Sequence, residues 1–384
     1  MNRTLHIGLI TDSFLPLVGG REFIVHNLAI ALQDLGHEVT VFVPYLKQRE
    51  KDNYPYRIVQ FGFRGAGQLK LMKPCMYIML LYMIYRYRID VINVHGLHPK
   101  KKIIPFLKFF TKLPIIGTPH GDDIQIFPDL NYGVRLNPKN DLIVRRAVKN
   151  CNRVTAISRS IREHLEEILD DYTVIDDIPN GVWTSTFSSN VNRNETRKRY
   201  NIPVNAVLLI SVGRNHPKKG FSVGIEALSQ LKKKHGQIVY LIIGKNMGSI
   251  RQKAKELGVS EILFTPGLLK EKEVAELFQA SDIYISPSLI ESFGITTIEA
   301  MSAGLPCVVS NIEGTRDIVT AKFGILTKSG DSKELADAVL MLLEDPSLMT
   351  VMGQEARKES QKYDWSEIAD RYTQVYAKSM EDVK

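Results

Sequence analysis

Apolar residues along this chain fall into short unbroken runs, separated by longer stretches where they recur at helical spacing. Runs of that kind mark strands buried on both faces, as in parallel sheets. In the first half they lie at residues 5–11 (LHIGLIT), 38–43, 90–94 (DVINV), 114–118, 153–157 and 173–178. Helical spacing appears between them at 21–35, closed by Gly36, and at 76–87. A polar stretch, SSNVNRNETRKRYNIPVN at 188–205, interrupts the alternation and reads as a linker. The pattern then restarts, with strands at 207–212, 238–243, 262–265, 283–285 and 306–310. Helices follow at 220–235, 250–257, 271–279, 295–303 and 332–343, and a last one at 365–379. Two alternating series joined by one linker predict an α/β chain of two Rossmann-like domains facing each other across a cleft. The expected boundaries are 1–187 for the first domain and 188–364 for the second, with the last helix, about 365–384, crossing back to the first.

At 384 residues, 44% hydrophobic and 24% charged, the chain has the size and composition of a two-domain globular protein. Its three cysteines, Cys75, Cys151 and Cys307, have neither metal-ligand spacing nor the even number of a disulfide framework, so a reducing compartment is expected. The start passes directly from Met1-Asn2-Arg3-Thr4 into a strand, so no leader is expected. The longest apolar run, 74–85, is short of the roughly 20 residues a spanning helix needs. Net charge is +8, yet residues 47–112 alone carry fourteen Lys or Arg against three acids. An anionic partner for that segment follows. Within it, Lys100, Lys101, Lys102, Lys108 and Lys112 interleave with Phe106, Phe109 and Phe110. Lysines in such a mixture meet anionic lipid while aromatics enter the headgroup boundary, although a helix packed on a sheet with solvated lysines has the same letters. No nucleic-acid-binding motif accompanies the charge, so nucleic acid is not an expected partner.

Candidate chemistry gathers at the ends of strands. After 283–285 comes PSLIESFGITTIEAMSAG at 287–304: a turn with Glu291 and Gly294, then a helix carrying Glu299 and stopping at Gly304. The amides of Phe293, Gly294 and Ile295 fall at that helix start, where unpaired donors and the helix dipole suit a phosphate. A phosphate seat between two carboxylates can hold a sugar phosphate ester; taken alone, the same glutamates also fit an ordinary surface loop. After 207–212, Arg214 and Lys219 stand at a strand end ahead of Gly220, and two such cations can neutralise a diphosphate. In the first half, the loop before the 21–35 helix ends in Gly19-Gly20, which reads as close backbone approach to a ligand or simply as a turn. It lacks G-x-G-x-x-G, so a nicotinamide cofactor gains no support. His120 ends the 114–118 strand, where open α/β sheets bind ligands.

Together these residues resemble a retaining glycosyltransferase of the nucleotide-sugar family numbered 4, with the GT-B fold. The matching motifs are the loop at 16–20 ending in GG, GHEVTVF at 36–42, HG at 120–121, AIS at 156–158 and PNGV at 179–182. They continue with GR…KG at 213–220 and ESFG…EAMSAGLP at 291–306. The resemblance implies that Arg214 and Lys219 bind the donor diphosphate, with the amides near Gly294 and those of Gly19 and Gly20. It further implies that Glu299 holds the ribose, Glu291 the transferred sugar, and that His120 lies near the sugar's reacting face. Trp183 departs from the aspartate the family often has after PNGV.

No Asp-x-Asp motif is present, so neither a metal nor another cofactor is expected. The expected partners are a nucleotide-sugar donor, UDP-sugar first, a saccharide or lipid-linked acceptor, and an anionic membrane surface. The setting would be the cytoplasm, peripheral on the inner face of the membrane, in envelope polysaccharide or lipopolysaccharide synthesis. A transferase of the same fold acting on a soluble acceptor, and a non-catalytic nucleotide-sugar-binding protein, are the alternative readings.

Overall fold

The computed structural model describes residues 4–15, 19–45, 54–62, 73–98 and 102–383. Lys100 and Lys101 lie outside them. Two compact units make up the chain: Met1–Gly181 with Trp365–Lys384, and Val182–Asp364.

The first unit alternates β1 (His6–Thr11), α1 (Gly20–Asp34), β2 (Glu38–Pro44), β3 (Arg57–Phe61), α2 (Lys73–Arg86), β4 (Val91–His95), α3 (Ile103–Phe110), β5 (Ile115–Thr118), α4 (Pro138–Lys149), β6 (Arg153–Ala156), α5 (Arg159–Glu166) and β7 (Ile175–Asp177). All strands are parallel, in the order β3-β2-β1-β4-β5-β6-β7. Every residue of β4 is buried, which is why an unbroken apolar run could announce it. The chain reverses direction through the sheet between β1 and β4, and the loops leaving those strands form the crevice where this architecture binds ligands.

The second unit contains α6 (Thr184–Phe187), α7 (Arg193–Arg199), β8 (Val207–Val212), α8 (Phe221–Lys234), β9 (Ile238–Ile243), α9 (Gly248–Glu256), β10 (Leu263–Gly267), α10 (Glu271–Ala280), β11 (Ile283–Ser286), α11 (Ile295–Ala303), β12 (Cys307–Ser310), β13 (Gly324–Thr327), α12 (Ser332–Glu344) and α13 (Pro346–Ser360). Its strands run β10-β9-β8-β11-β12-β13, again all parallel, so the reversal lies between β8 and β11. Leu209, Ile225, Leu228, Leu231, Ile242 and Val339 form part of one buried core under α8 and α12. Each such side chain contributes about 1.5–3 kcal/mol by leaving water. That core fixes the strand ends on which the site loops stand.

The last helix, α14 (Trp365–Glu381), belongs to the first unit, as its expected crossing requires. Its polar contacts are specific. Asn93 Nδ2 donates to Tyr376 Oη at 2.9 Å, and Asn93 Oδ1 accepts from Thr118 at 2.9 Å. Thr155 extends this buried row to Thr118 at 2.8 Å. Asn93, Thr118 and Thr155 are fully buried, so each bond replaces a water the interior cannot supply.

The linker expected at 188–205 is corrected. Much of it is α7, capped by Asn192 and packed into the second unit. Arg197, 3% exposed, donates to the carbonyls of Ala280, Val204 and Ala206 and pairs with Asp282 at 2.7 Å. A run of charged letters looks solvated, yet here its central arginine is satisfied internally. The units divide after Gly181 and Asp364, so α6 also falls in the second. Asp364 holds α6 by accepting from Thr184 N at 3.1 Å and Thr184 Oγ1 at 2.6 Å.

Candidate active site

The two loops at the reversal point of the second unit are sewn together by backbone. Lys218 O accepts from Leu289 N at 2.7 Å and from Ile290 N at 3.2 Å. Gly220 adopts φ +59°, and a Cβ there would collide with the carbonyl of Pro287. Glycine is therefore required by both conformation and space. These contacts bring Lys219 beside Glu291, where Nζ and Oε2 stand 2.6 Å apart with side chains 19% and 15% exposed. Arg214 lies on the same loop, exposed, with no carboxylate in ion-pair reach among the described residues.

Helix α11 begins at Ile295 with Gly294 as its N-cap, in the left-handed region at φ +94° and without a side-chain cap. Thr297 N donates to Gly294 O at 2.9 Å, so the amides left for a ligand or solvent are those of Ile295 and Thr296. Tyr284 reaches from β11 to Thr296 at 2.8 Å and holds that turn in place. Phe293, just ahead of the helix, is buried and its ring meets Tyr363 edge-on. Farther along α11, burial pushes the Glu299 carboxyl up to about 8, aided by Glu271 and opposed by Lys219. A carboxyl in that range is largely neutral at pH 7 and both donates and accepts, which suits a diol. The Lys219 ammonium therefore acts on both glutamates that the sequence singled out.

Sequence reading missed one contributor to this site. Gly314, after β12, has φ +86° and packs so closely that a Cβ would strike the carbonyl of Glu291. The third loop thereby backs the second.

In the first unit, Gly19 is the extended N-cap of α1 and Gly20 its first residue. The Glu22 carboxylate folds back to accept from Ser13 Oγ and lies where a Cβ on Gly19 would be. Arg21 donates to Ser13 at 3.1 Å and lies over Gly96, tying the loops after β1 and β4. His120 follows β5. Its Nε2 is 3.1 Å from Nδ1 of His95, and the two rings stack with centroids 5.3 Å apart. Buried Asp123 accepts from His120 N and Gly121 N at 2.9 Å each, and from Leu97 N at 2.7 Å. One carboxylate thus clamps the ends of β4 and β5. His95 and Asp123 escaped the sequence reading, although both flank strand ends and Asp123 lies in the same HGDD stretch as His120.

Helices α2 and α3 carry the aromatic and basic residues. Tyr77 packs on Phe106 at 5.3 Å, and Tyr85 Oη donates to Phe110 O at 3.0 Å. Phe106 is half-buried by that contact, whereas Phe109 is 82% exposed and Phe110 50%. Ile78, Tyr82 and Tyr85 line one exposed face of α2. Lys102, Lys108 and Lys112 are exposed around α3, with Lys108 donating to Asn152 at 3.1 Å. No described helix is long and apolar enough to cross a membrane.

Comparison with known proteins gives consistent results. Residues 18–186 match the sequence model described as Glycosyltransferase Family 4, and residues 192–359 that described as Glycosyl transferases group 1. The N-acetyl-alpha-D-glucosaminyl L-malate synthase of Bacillus anthracis is 25% identical over 380 residues, covering 96% of each chain. The phosphatidyl-myo-inositol mannosyltransferase of Mycolicibacterium smegmatis is 26% identical over 380 residues, covering 97% of this chain and 93% of its own. Among solved structures, Anabaena HepE in complex with UDP and glucose superposes with a TM-score of 0.79 at 20% identity, covering 97% of this chain and 100% of its own. Two doubly wound units, the strand-end loops built above and matches spanning nearly the whole length make this chain a member of glycosyltransferase family 4, with the GT-B fold.

Proposed function

We propose that the chain is a retaining transferase that moves a hexose or N-acetylhexosamine from a nucleotide sugar, UDP-sugar by preference, to a saccharide acceptor. The observation that carries this reading is the cluster at the start of α11, where Lys219 acts on both Glu291 and Glu299. Lys219 and Arg214 neutralise the diphosphate, and the amides of Phe293, Gly294 and Ile295 supply fixed donors to it. Glu299 holds the ribose diol and Glu291 the hydroxyls of the sugar. Gly19 and Gly20 allow close backbone approach, and His120 serves the sugar's reacting face. The diphosphate leaves as positive charge builds on the sugar ring. The acceptor attacks from the same face, and the departing phosphate takes its proton. A double displacement would need a nucleophilic carboxylate at the anomeric carbon, and Glu291 is better used as a sugar ligand.

UDP is favoured as the nucleotide, and HepE, whose structure holds UDP and glucose, supports that choice. A thermal-shift panel of UDP-, GDP- and ADP-sugars tests it, because a ligand stabilises by RT ln(1 + [L]/Kd). The UDP-sugars should raise the melting temperature most; a flat response to all three would refute the donor reading. Turnover should survive EDTA, and its abolition would refute the metal-free reaction.

For the acceptor we favour a lipid-linked saccharide of envelope polysaccharide or lipopolysaccharide, reached from the inner face of the cytoplasmic membrane. The exposed Ile78, Tyr82, Tyr85, Phe109 and Phe110 beside Lys102, Lys108 and Lys112 support this. Each lysine near an anionic surface adds about 1 kcal/mol. A relative named for phosphatidyl-myo-inositol points the same way. Co-sedimentation with anionic but not neutral vesicles is expected, and its loss in Phe109→Ser/Phe110→Ser would assign it to this patch. Equal binding to both vesicles would count against it. The name of the Bacillus anthracis relative, an N-acetyl-alpha-D-glucosaminyl L-malate synthase, favours a soluble acceptor as the second reading. Full turnover on a soluble acceptor without lipid or detergent would select it.

A further inference from the structure

We infer that the ion pair between Lys219 and Glu291 is one half of an exchange: Glu291 is the ammonium's counter-ion in the free protein, and a donor diphosphate displaces it onto the sugar hydroxyls. The inference rests on the donor reading above and deepens it.

Three observations support it. The pair is close, 2.6 Å, and both side chains are mostly withdrawn from water, so it is stronger than an exposed pair of the same length. Its backbone cannot drift, because Lys218 O holds Leu289 N and Ile290 N and Gly220 is wedged against Pro287. Only side-chain rotation is left to separate the partners. Arg214 has no carboxylate partner among the described residues, so of the two cations only Lys219 comes with a competitor for phosphate.

The consequence is discrimination between donor and spent nucleotide. A nucleotide sugar offers Glu291 hydroxyls in return for the ammonium it gives up. A nucleoside diphosphate offers none, so its binding leaves a carboxylate beside phosphate with no compensating partner. Once the sugar has been transferred, Glu291 returns to Lys219 and assists departure of the diphosphate.

The test is a double-mutant cycle with UDP and UDP-glucose, and GDP and GDP-mannose as a second pair, titrated calorimetrically into the full chain. Glu291→Gln should bind UDP at least threefold tighter than wild type and UDP-glucose no tighter. The preference for the sugar-bearing ligand should therefore fall at least threefold. Glu291→Asp, which keeps the charge but retracts it, should move the ratio in the same direction by less. In a Lys219→Met background, Glu291→Gln should change UDP affinity by clearly less than it does beside Lys219, because only the repulsion between carboxylate and phosphate is then relieved. Unchanged or weaker UDP binding by Glu291→Gln, or an effect just as large without Lys219, would overturn the exchange while leaving the donor site standing. If wild type bound none of the four ligands, the donor reading would fail and the exchange with it.

Discussion

Replacing Glu299 by glutamine should stabilise the protein in alkali and leave it unchanged in acid. Burial and Glu271 lift this carboxyl from its ordinary 4.5 to about 8. Below the unfolded value both states hold the proton, and the residue has no effect on the balance. As pH rises past 4.5 the unfolded chain ionises freely while the folded one keeps its proton. Stability then falls by up to about 1.4 kcal/mol per pH unit until the folded group itself ionises near 8. The ceiling is about 5 kcal/mol, and residual solvent contact of the side chain reduces it to about 2–3. Glutamine has nearly the same shape and never ionises, so its variant escapes the loss. Urea unfolding of the full chain at pH 4.5, 7 and 9 measures this directly. The midpoint of the variant should coincide with wild type at pH 4.5 and exceed it by about 1 M at pH 9. Parallel curves at all three values would refute the argument that the site holds a neutral carboxyl.

Arg197→Met should lower stability by about 3–5 kcal/mol, read as a urea midpoint, because the buried carbonyls of Ala280 and Ala206 lose a donor and Asp282 loses its buried partner. Gly220→Ala forces a side chain into the left-handed region and against Pro287, at a cost of about 3 kcal/mol. It should also weaken nucleotide binding by moving Lys219, which calorimetry would detect. His95→Leu should cut turnover more than tenfold by releasing the His120 ring, whereas His95→Asn, with a polar atom where Nδ1 stands, should stay within a few fold. Equal losses in the two variants would mean that His95 is only packing.

Most of the strands and the helix starts could be read from the letters, because parallel strands buried on both faces leave unbroken apolar runs. The helix 295–303 and the strands 207–212 and 238–243 have the bounds expected of them. What escaped did so for physical reasons. Edge strand β3 is short and alternates, and β13 covers only Gly324–Thr327, so neither produces a run. Helix α7 is charged because its arginine is satisfied by carbonyls from distant turns, a pairing that no local pattern encodes. At the site, residue types and spacing pointed to Arg214, Lys219, Glu291 and Glu299. They could not disclose that Lys219 and Glu291 pair in the free protein, nor that the Glu22 carboxylate folds back to Ser13. Those are matters of side-chain direction, set by glycine-dependent contacts between loops far apart in sequence. His95 and Asp123 were missed because their partners sit on other strands, and only the sheet order brings them together.

If the second unit seats the donor at the start of α11, a structure of the full chain with the tightest-binding nucleotide sugar will show diphosphate oxygens over the amides of Gly294 and Ile295. They should lie within reach of Lys219 and Arg214, with the ribose on Glu299 and Glu291 turned to the sugar. A nucleotide bound elsewhere, with Glu299 touching no ribose and Lys219 still paired to Glu291, would contradict that assignment.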